Sequence, residues 1–415
     1  MRPSRLLGAL LALAACRAEK ATTEGATDGG PGGTAGNAGG AGTGDPAGTG
    51  GSWHTSNKLD LLFVVDNSSS TFHFQLNFAC NFSRFVEALE ALPLGTPDLH
   101  LAIVTPDLGS GALRIPSCGR SGGDDGAMQS APHPLMVDCS ANGAAPLDTT
   151  GCTGPQEGKG WIRFKSATDN NLGGQDLARA VACIAPLGDH GCGFESVLGA
   201  TVRALERASD PNDPVNAGFL RADALLAIVI LTDEDDCSLP ADSLLGDTSS
   251  GTDVGSTLGP LTSFRCTEYG VICDGFQRDP ANPAALRRPG PMGGYRNCRP
   301  NDDGLGVPEP RHRLRSVREM VARIQALKPP SATIVEVIGG PAPPEGAFDV
   351  EVGTAGGAPV PVLALSCQGG AGPANPGVRL QAFLEAWHPT RRILPICQQS
   401  LADVLAGIAR RLAGS

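Results

Sequence analysis

Short apolar runs alternate with amphipathic segments along most of the chain after residue 53. The apolar runs are rich in Val, Ile and Leu, which is typical of strands that are buried on both faces of a sheet. The amphipathic segments repeat their apolar residues at the helical spacing. This pattern predicts strands at 59–65, 99–105, 225–231, 333–338 and 392–396, and helices at 74–92, 177–184, 197–205, 314–327 and 401–412.

The alternation of strands and helices predicts an α/β fold with a doubly wound, mostly parallel sheet of the Rossmann-like type. Three long segments interrupt the alternation, at residues 107–160, 237–311 and 340–376. They are rich in Gly, Pro and Asp, and loops of this length inside a compact domain are usually functional or pinned. We therefore predict one domain over residues 53–415 with three insertions, rather than several domains.

Residues 1–15 have the pattern of an export signal, because Arg2 and Arg5 precede a short apolar stretch. That stretch is about half of the ~20 residues that a membrane-spanning helix needs. The sequence LAAC that ends at Cys16 resembles a bacterial lipobox, which implies a lipid on Cys16. Because Arg17 rather than Asp follows, the resemblance implies the outer membrane or cell surface. The alternative is an ordinary cleaved signal with a chance cysteine.

Residues 16–52 are predicted to be a tether between the lipid and the domain. Thirteen glycines lie in residues 21–52, and a segment of this composition cannot form a core. Random-coil scaling gives the tether a reach of roughly 30 Å. The domain would therefore contact a membrane only through its lipid anchor.

Twelve cysteines remain after Cys16, and an even set in an exported chain predicts a disulfide framework that pins the insertions. The sequence does not determine the connectivity. Cys183 with Cys192, and Cys266 with Cys273, are near enough along the chain to close short loops. The twelve candidates are Cys80, Cys118, Cys139, Cys152, Cys183, Cys192, Cys237, Cys266, Cys273, Cys298, Cys367 and Cys397.

The formal net charge of the chain is −11. A chain with this charge repels the phosphate backbone of DNA and RNA. Nucleic acid is therefore excluded as the expected partner.

Polar oxygens follow two of the predicted strands directly. Asp66, Ser68 and Ser70 come after the first strand, and Asp233 comes after the strand at 225–231. Ligands of open parallel sheets bind outside the carboxyl ends of the strands. Carboxylate and hydroxyl oxygens suit hard cations such as Mg²⁺, Mn²⁺ or Ca²⁺. The pattern therefore predicts a divalent-cation site at this edge of the sheet.

The sequence DNSSS after one apolar strand and LTDE after a later one resemble a von Willebrand factor type A domain. The resemblance spans residues 58 to about 410 and implies a metal ion-dependent adhesion site. Ser68 and Ser70 would bind the cation directly, Asp66 through water or directly, and Asp233 from the third loop. It also implies a protein partner whose acidic residue completes the coordination.

The second loop departs from the family pattern, which usually offers a threonine there. Residues 191–196 read GCGFES and contain none. Glu195 or Ser196 could supply the oxygen instead, and Thr168 is an alternative one helix earlier. A carboxylate at Glu195 would tighten cation binding. It would also weaken the attraction of the metal for an acidic partner, so the sequence supports the metal site more strongly than adhesion.

Simpler interpretations exist for the same residues. Asp66 and the serines could cap the following helix. Asp233 could belong to a solvated acidic turn, and for Asp235 and Asp236 a solvated turn is the preferred interpretation.

No catalytic constellation is convincing in the sequence. Residues 119–123 match G-x-S-x-G but lack the strand and helix that a nucleophile elbow requires. The seven histidines are scattered without metal-binding spacing. The predicted function is therefore cation-dependent protein binding or adhesion at the cell surface. A surface hydrolase that uses the cation as a Lewis acid, and a structural envelope protein with a non-functional site, are the alternatives.

Overall fold

The computed structural model describes residues 57–412 except 112, 114, 116, 241–244, 246–255, 257, 275–294, 308–312 and 343–347. The predicted signal, Cys16 and the tether lie outside the described residues. Within the described residues, no helix is both long and apolar enough to span a membrane.

In the described part of the chain, seven helices and fifteen strands form. The helices are α1 (Phe72–Glu90), α2 (Leu177–Ile184), α3 (Val197–Ser209), α4 (Phe264–Gly270), α5 (Val317–Leu327), α6 (Val378–Trp387) and α7 (Ala402–Leu412). The strands are β1 (Lys58–Val65), β2 (Asp98–Val104), β3 (Met136–Val137), β4 (Leu147–Asp148), β5 (Ile162–Ser166), β6 (Asp169–Asn170), β7 (Leu225–Leu231), β8 (Val271–Asp274), β9 (Arg296–Pro300), β10 (Thr333–Gly339), β11 (Val350–Ala355), β12 (Ala358–Leu363), β13 (Cys367–Gly369), β14 (Gly372–Ala374) and β15 (Leu394–Pro395).

Seven of these strands form one central sheet in the order β15-β10-β7-β1-β2-β5-β6. The first five strands in this order pair in parallel. Strand β5 pairs antiparallel with β2, and β6 pairs antiparallel with β5. The chain winds outward from β1 through β2 to β5, and then returns to β7 on the other side of β1. The predicted α/β fold with a mostly parallel sheet is confirmed. The strand order reverses between β1 and β7, which is the place where such sheets bind ligands.

Helices cover both faces of the sheet. Leu61 and Phe63 of β1 pack with α1, α2 and α7, whereas Leu62 and Val64 pack with α3, α5 and α6. The alternation follows from the two-residue period of a strand. The Phe63 ring makes edge contacts with three phenylalanines of α1 at centroid distances of 5.1–5.7 Å. Both faces of β1 are therefore buried, which explains its continuous apolar sequence.

The sequence located most elements correctly but not all. The strand predicted at 392–396 shrinks to two residues, because Pro395 has no amide hydrogen for the sheet. Helices α4 and α6 were not predicted. The other small strands form four two-stranded hairpins within the three insertions.

The twelve candidate cysteines form six disulfides, so the predicted framework is confirmed. The two short loops are wrong, because Cys183 and Cys192 pair with Cys152 and Cys118, whereas Cys266 and Cys273 pair with Cys237 and Cys298. Three bridges join the insertion at 107–160 to the core. Cys183 and Cys192 are partners in two of these bridges, so they cannot pair with each other. The pairs are Cys80–Cys139, Cys118–Cys192, Cys152–Cys183, Cys237–Cys266, Cys273–Cys298 and Cys367–Cys397.

Candidate metal centre

The carboxyl ends of β1 and β7 lie side by side, because Val65 pairs with Leu231. Asp66 is therefore held directly against the end of β7. Its backbone N–H donates to the carbonyl of Leu231 at 2.9 Å, and its carboxylate accepts from the Thr232 hydroxyl at 2.6 Å. The other carboxylate oxygen accepts from the backbone N–H of Ser68 at 2.8 Å. Asp66 thus uses both oxygens to fix the loop.

The Ser68 and Ser70 hydroxyls converge at the same end of β1. Their oxygens lie 3.3 Å apart. Two neighbouring ligands on an octahedral Mg²⁺, each about 2.1 Å from the metal, would be about 3 Å apart. Ser68 is buried, whereas Ser70 is exposed at the rim. The spacing of the two hydroxyls therefore suits a shared cation.

The serines do not cap α1. The N-cap residue of this helix is Thr71, and no side chain caps its first turn. The Thr71 hydroxyl donates instead to the carbonyls of Asp66 and Ser68, at 2.9 Å each. Gln75 reinforces the loop through a 2.8 Å bond to the Asp66 carbonyl. The helix-cap interpretation of these residues is wrong.

Asp233 brings a buried carboxylate to this end of the sheet. Only 6% of the residue is exposed, and its Oδ1 has no hydrogen-bond partner among the described residues. Burial and the carboxylates of Asp66 and Glu234 raise the pKa of Asp233 to about 8, against a hydrogen bond with Ser70 that lowers it. The effect of Ser70 on this pKa indicates that the two loops lie beside each other.

Glu195, just before α3, reaches the same cluster from a third segment. The residue is 2% exposed, and its Oε2 finds no partner in the described part of the chain. Its carbonyl accepts from the backbone N–H of Cys237 at 2.8 Å. Burial, and then the charges of Glu234, Asp66 and Asp233, raise the pKa of Glu195 well above its usual value.

Glu234 is a fourth carboxylate that the sequence analysis did not single out. Burial and the charge of Asp66 raise the pKa of Glu234 to about 7, and hydrogen bonds with Glu195 and Ser263 oppose the rise. The Ser263 oxygen lies 3.4 Å from Glu234 Oε1. The LTDE sequence was the signal that could have identified it.

The remaining second-loop candidates lie elsewhere. The Ser196 hydroxyl donates to the carbonyl of Cys237 at 3.3 Å. Thr168 lies in the exposed turn between β5 and β6. Because β6 is three strands from β1, it is roughly 14 Å away at ordinary strand spacing. Of the three candidates, the structure brings only Glu195 to the carboxylates.

Asp235 and Asp236 are not a solvated turn, which corrects the sequence interpretation. The Asp235 carboxylate accepts from the backbone N–H groups of Arg379 and Leu380, at the start of α6. Asp236 is fully buried and lies 2.9 Å from the Arg379 guanidinium, which is itself buried. The error arose because α6, which supplies both partners, was not predicted.

The cluster offers carboxylate and hydroxyl oxygens, which are donors that suit a hard cation. Burial is the largest cause of the raised pKa of each of the four carboxylates, and repulsion by neighbouring carboxylates adds to it for Glu195, Asp233 and Glu234. No Lys or Arg is among the principal causes. Among the described residues, no three His, Cys, Asp or Glu side chains are already arranged to hold a metal. The predicted site therefore depends on the Ser68 and Ser70 hydroxyls as well as on the carboxylates of Asp233 and Glu195. Unpaired buried oxygens on Asp233 and Glu195 fit a divalent cation.

Glu195→Gln tests the second-loop position. If Glu195 is a ligand, the glutamine variant should lose at least part of the stabilisation that Mg²⁺ gives to the wild type, because a charged donor is replaced by a neutral one. Differential scanning fluorimetry with Mg²⁺ and with EDTA measures this. Thr168→Ala is the matched control and should respond to Mg²⁺ as the wild type does. An unchanged response in Glu195→Gln would remove Glu195 from the ligand set.

The metal-free protein should lose stability as the pH rises. Asp233 and Glu234 have pKa values raised to about 8 and about 7 by burial, so the folded state holds their protons more tightly than the unfolded state. This stabilisation is complete below about pH 4 and is lost as the pH rises through about 7 to 8. Urea denaturation in EDTA at a series of pH values from about 4 to about 8 measures this loss of stability. A stability that increases steadily from pH 6 to pH 8 would contradict the prediction.

No family model matches the chain. A search of curated proteins also finds no match.

Proposed function

We propose that this protein is a von Willebrand factor type A-like domain that binds a divalent cation, Mg²⁺ or else Mn²⁺ or Ca²⁺, where the strand order reverses. The observation that supports the proposal most strongly is a group of carboxylates whose pKa values are raised by burial, with no Lys or Arg of the described residues among the principal causes. Two of them, Asp233 and Glu195, each keep one buried oxygen without a partner in the described residues. Buried charges of one sign are costly unless a proton or a cation accompanies them.

The roles of the residues follow from their hydrogen bonds. Ser68 and Ser70 would bind the cation directly, since their hydroxyl oxygens already lie together. Asp66 would act through water, because both of its oxygens accept protein hydrogen bonds. Asp233 and Glu195 would supply the negative charge that balances the cation. The cation itself would offer a coordination position to an oxygen of a partner.

The partner we propose is a protein with an acidic residue. Ser69 and Ser70 are exposed, so the rim of the site is open to a ligand from solution. Two carboxylates from the domain neutralise much of the charge of a divalent cation. The attraction for a partner's carboxylate is then weaker, so metal binding is the better supported part of the proposal.

The location we propose is the cell envelope, on the outer membrane or cell surface. The lipid on Cys16 and a tether of roughly 30 Å would hold the domain away from the membrane. This arrangement suits a module that captures a partner in its surroundings.

Calorimetric titration of the domain with Mg²⁺ and Mn²⁺ tests the cation site, and capture of envelope proteins in Mg²⁺ against EDTA tests the partner. We expect binding of one cation per chain and a set of captured proteins that EDTA releases. Absence of divalent-cation binding up to millimolar concentration would contradict the whole proposal. Cation binding with identical capture in EDTA would contradict only the adhesive part.

A further inference from the structure

A cleft of about 500 Å³ lies beside α3, and none of the four clustered carboxylates lines it. The loop after β2, α3, α5 and the segment after Cys237 surround it. Apolar side chains of Leu108, Phe194 and Leu239 line part of the cleft, and three arginines line another part: Arg203, Arg315 and Arg323. The volume lies within the range of about 300–1,000 Å³ that is usual for small-molecule sites.

The structure holds the walls of the cleft in place. Gly199 of α3 allows close packing, since a Cβ there would lie 3.2 Å from the Leu108 side chain and 3.1 Å from Ser238. Arg203 is fixed by two bonds of 2.8 Å to Asp125. Arg323 is fixed by bonds of 2.6 and 3.0 Å to Glu206. These two arginines therefore have defined positions before any ligand arrives.

Arg315 differs from the other two arginines, because its guanidinium makes no hydrogen bond to any described residue. The guanidinium forms a long ion pair with Glu319, whose carboxylate oxygen lies 3.8 Å away. The backbone of Arg315 is nevertheless anchored, since its N–H donates to Ser238 at 2.8 Å and its carbonyl accepts from Arg379 at 2.7 Å. A guanidinium has five N–H donors in a planar fork that matches a carboxylate or a phosphate. Arg315 is thus positioned by its backbone, with its donors available.

We propose that this cleft binds an organic anion, with its apolar part against Phe194 and Leu108 and its charged group on Arg315. The charged group is a carboxylate or a phosphate, because both accept two parallel N–H bonds from one guanidinium. The net charge of the chain is −11, so long-range electrostatic attraction by the whole chain would not account for anion binding. Recognition therefore depends on Arg315, because Arg203 is paired with Asp125, which also lines the cleft, and Arg323 is paired with Glu206.

Isothermal titration with octanoate, octyl phosphate and octan-1-ol tests the proposal, in EDTA so that the cation site has no influence. We expect at least one of the two anions to bind at millimolar concentration or below, and to bind more tightly than the neutral alcohol. The tighter of the two anions identifies the charged group. No binding of either anion up to millimolar concentration, or equal binding of the alcohol, would overturn the proposal.

Arg315→Ala should weaken binding of the preferred anion about tenfold or more, the loss expected for a charge-assisted hydrogen-bond pair. Arg392→Ala is the matched control, since it removes the same charge from an exposed arginine paired with Glu385, and it should bind as the wild type does. Thermal unfolding of both variants checks that they fold. Equal affinities of the wild type and a folded Arg315→Ala would overturn the assignment of Arg315. A failure here leaves the cation site unaffected.

Discussion

In Asp233→Asn, we expect Mg²⁺ to lose its stabilising effect, whereas it should raise the melting temperature of the wild type. A ligand that binds only the folded state stabilises it by about 2.7 kcal/mol at about 100 times its Kd. Asparagine keeps the shape of the side chain but removes the charge that would balance the cation. Differential scanning fluorimetry over a Mg²⁺ series measures the change.

The same substitution should not weaken the metal-free protein, which separates loss of a ligand from loss of folding. Removing one of several buried carboxylates relieves repulsion, since the charges of Asp66 and Glu234 raise the pKa of Asp233. Asp210→Asn is the matched control, because Asp210 is exposed beyond the end of α3. It should respond to Mg²⁺ as the wild type does. If Asp233→Asn retains the full Mg²⁺ response, Asp233 is not a ligand.

In Asp236→Ala, we expect a loss of about 3–5 kcal/mol in the free energy of unfolding, because removing one partner of a buried ion pair leaves the other charge uncompensated. The Asp236 carboxylate accepts from Arg379 at 2.9 Å, from the Leu198 backbone at 2.9 Å and from the Ser238 hydroxyl at 2.6 Å. These bonds join α6, α3 and the segment after β7. Urea denaturation in EDTA measures the loss without any contribution from bound metal.

Two further variants provide reference values for the loss of stability in Asp236→Ala. Asp235→Ala removes an acceptor from the first N–H groups of α6, and loss of such a cap costs about 0.5–2 kcal/mol. Asp223→Ala removes an exposed partner of Lys58 and should leave the stability unchanged within error. A loss in Asp236→Ala no larger than that in Asp235→Ala would show that Arg379 does not depend on Asp236.

The Arg379–Asp236 pair also links the stability of the domain to the geometry of the candidate site. Asp233 and Asp236 are three residues apart, and the carbonyl of Asp233 accepts from the backbone N–H of Asn375, just before α6. The segment after β7 is thus held at both ends by the same region of the chain. We expect this support to keep Asp233 in place when no cation is bound.

The sequence determined the central strands and the polar residues at their ends. Continuous apolar runs such as that of β1 can be stable only when buried on both faces, so their composition predicts the parallel sheet. Asp66, Ser68, Ser70 and Asp233 could be located because each follows such a run directly. The even number of cysteines after Cys16 likewise predicted complete pairing.

Only the tertiary structure decided which distant groups meet. Arg379 and Asp236 are 143 residues apart, and nothing in the local pattern of either residue indicates the other. Glu195 joins the cluster and Thr168 does not, because the order of the strands puts β6 at the far edge of the sheet. The partners of the three cysteines in the insertion at 107–160 were fixed in the same way, by where that insertion meets the core. Periodicity along a chain reports local conformation and burial, whereas contacts across a sheet depend on its strand order.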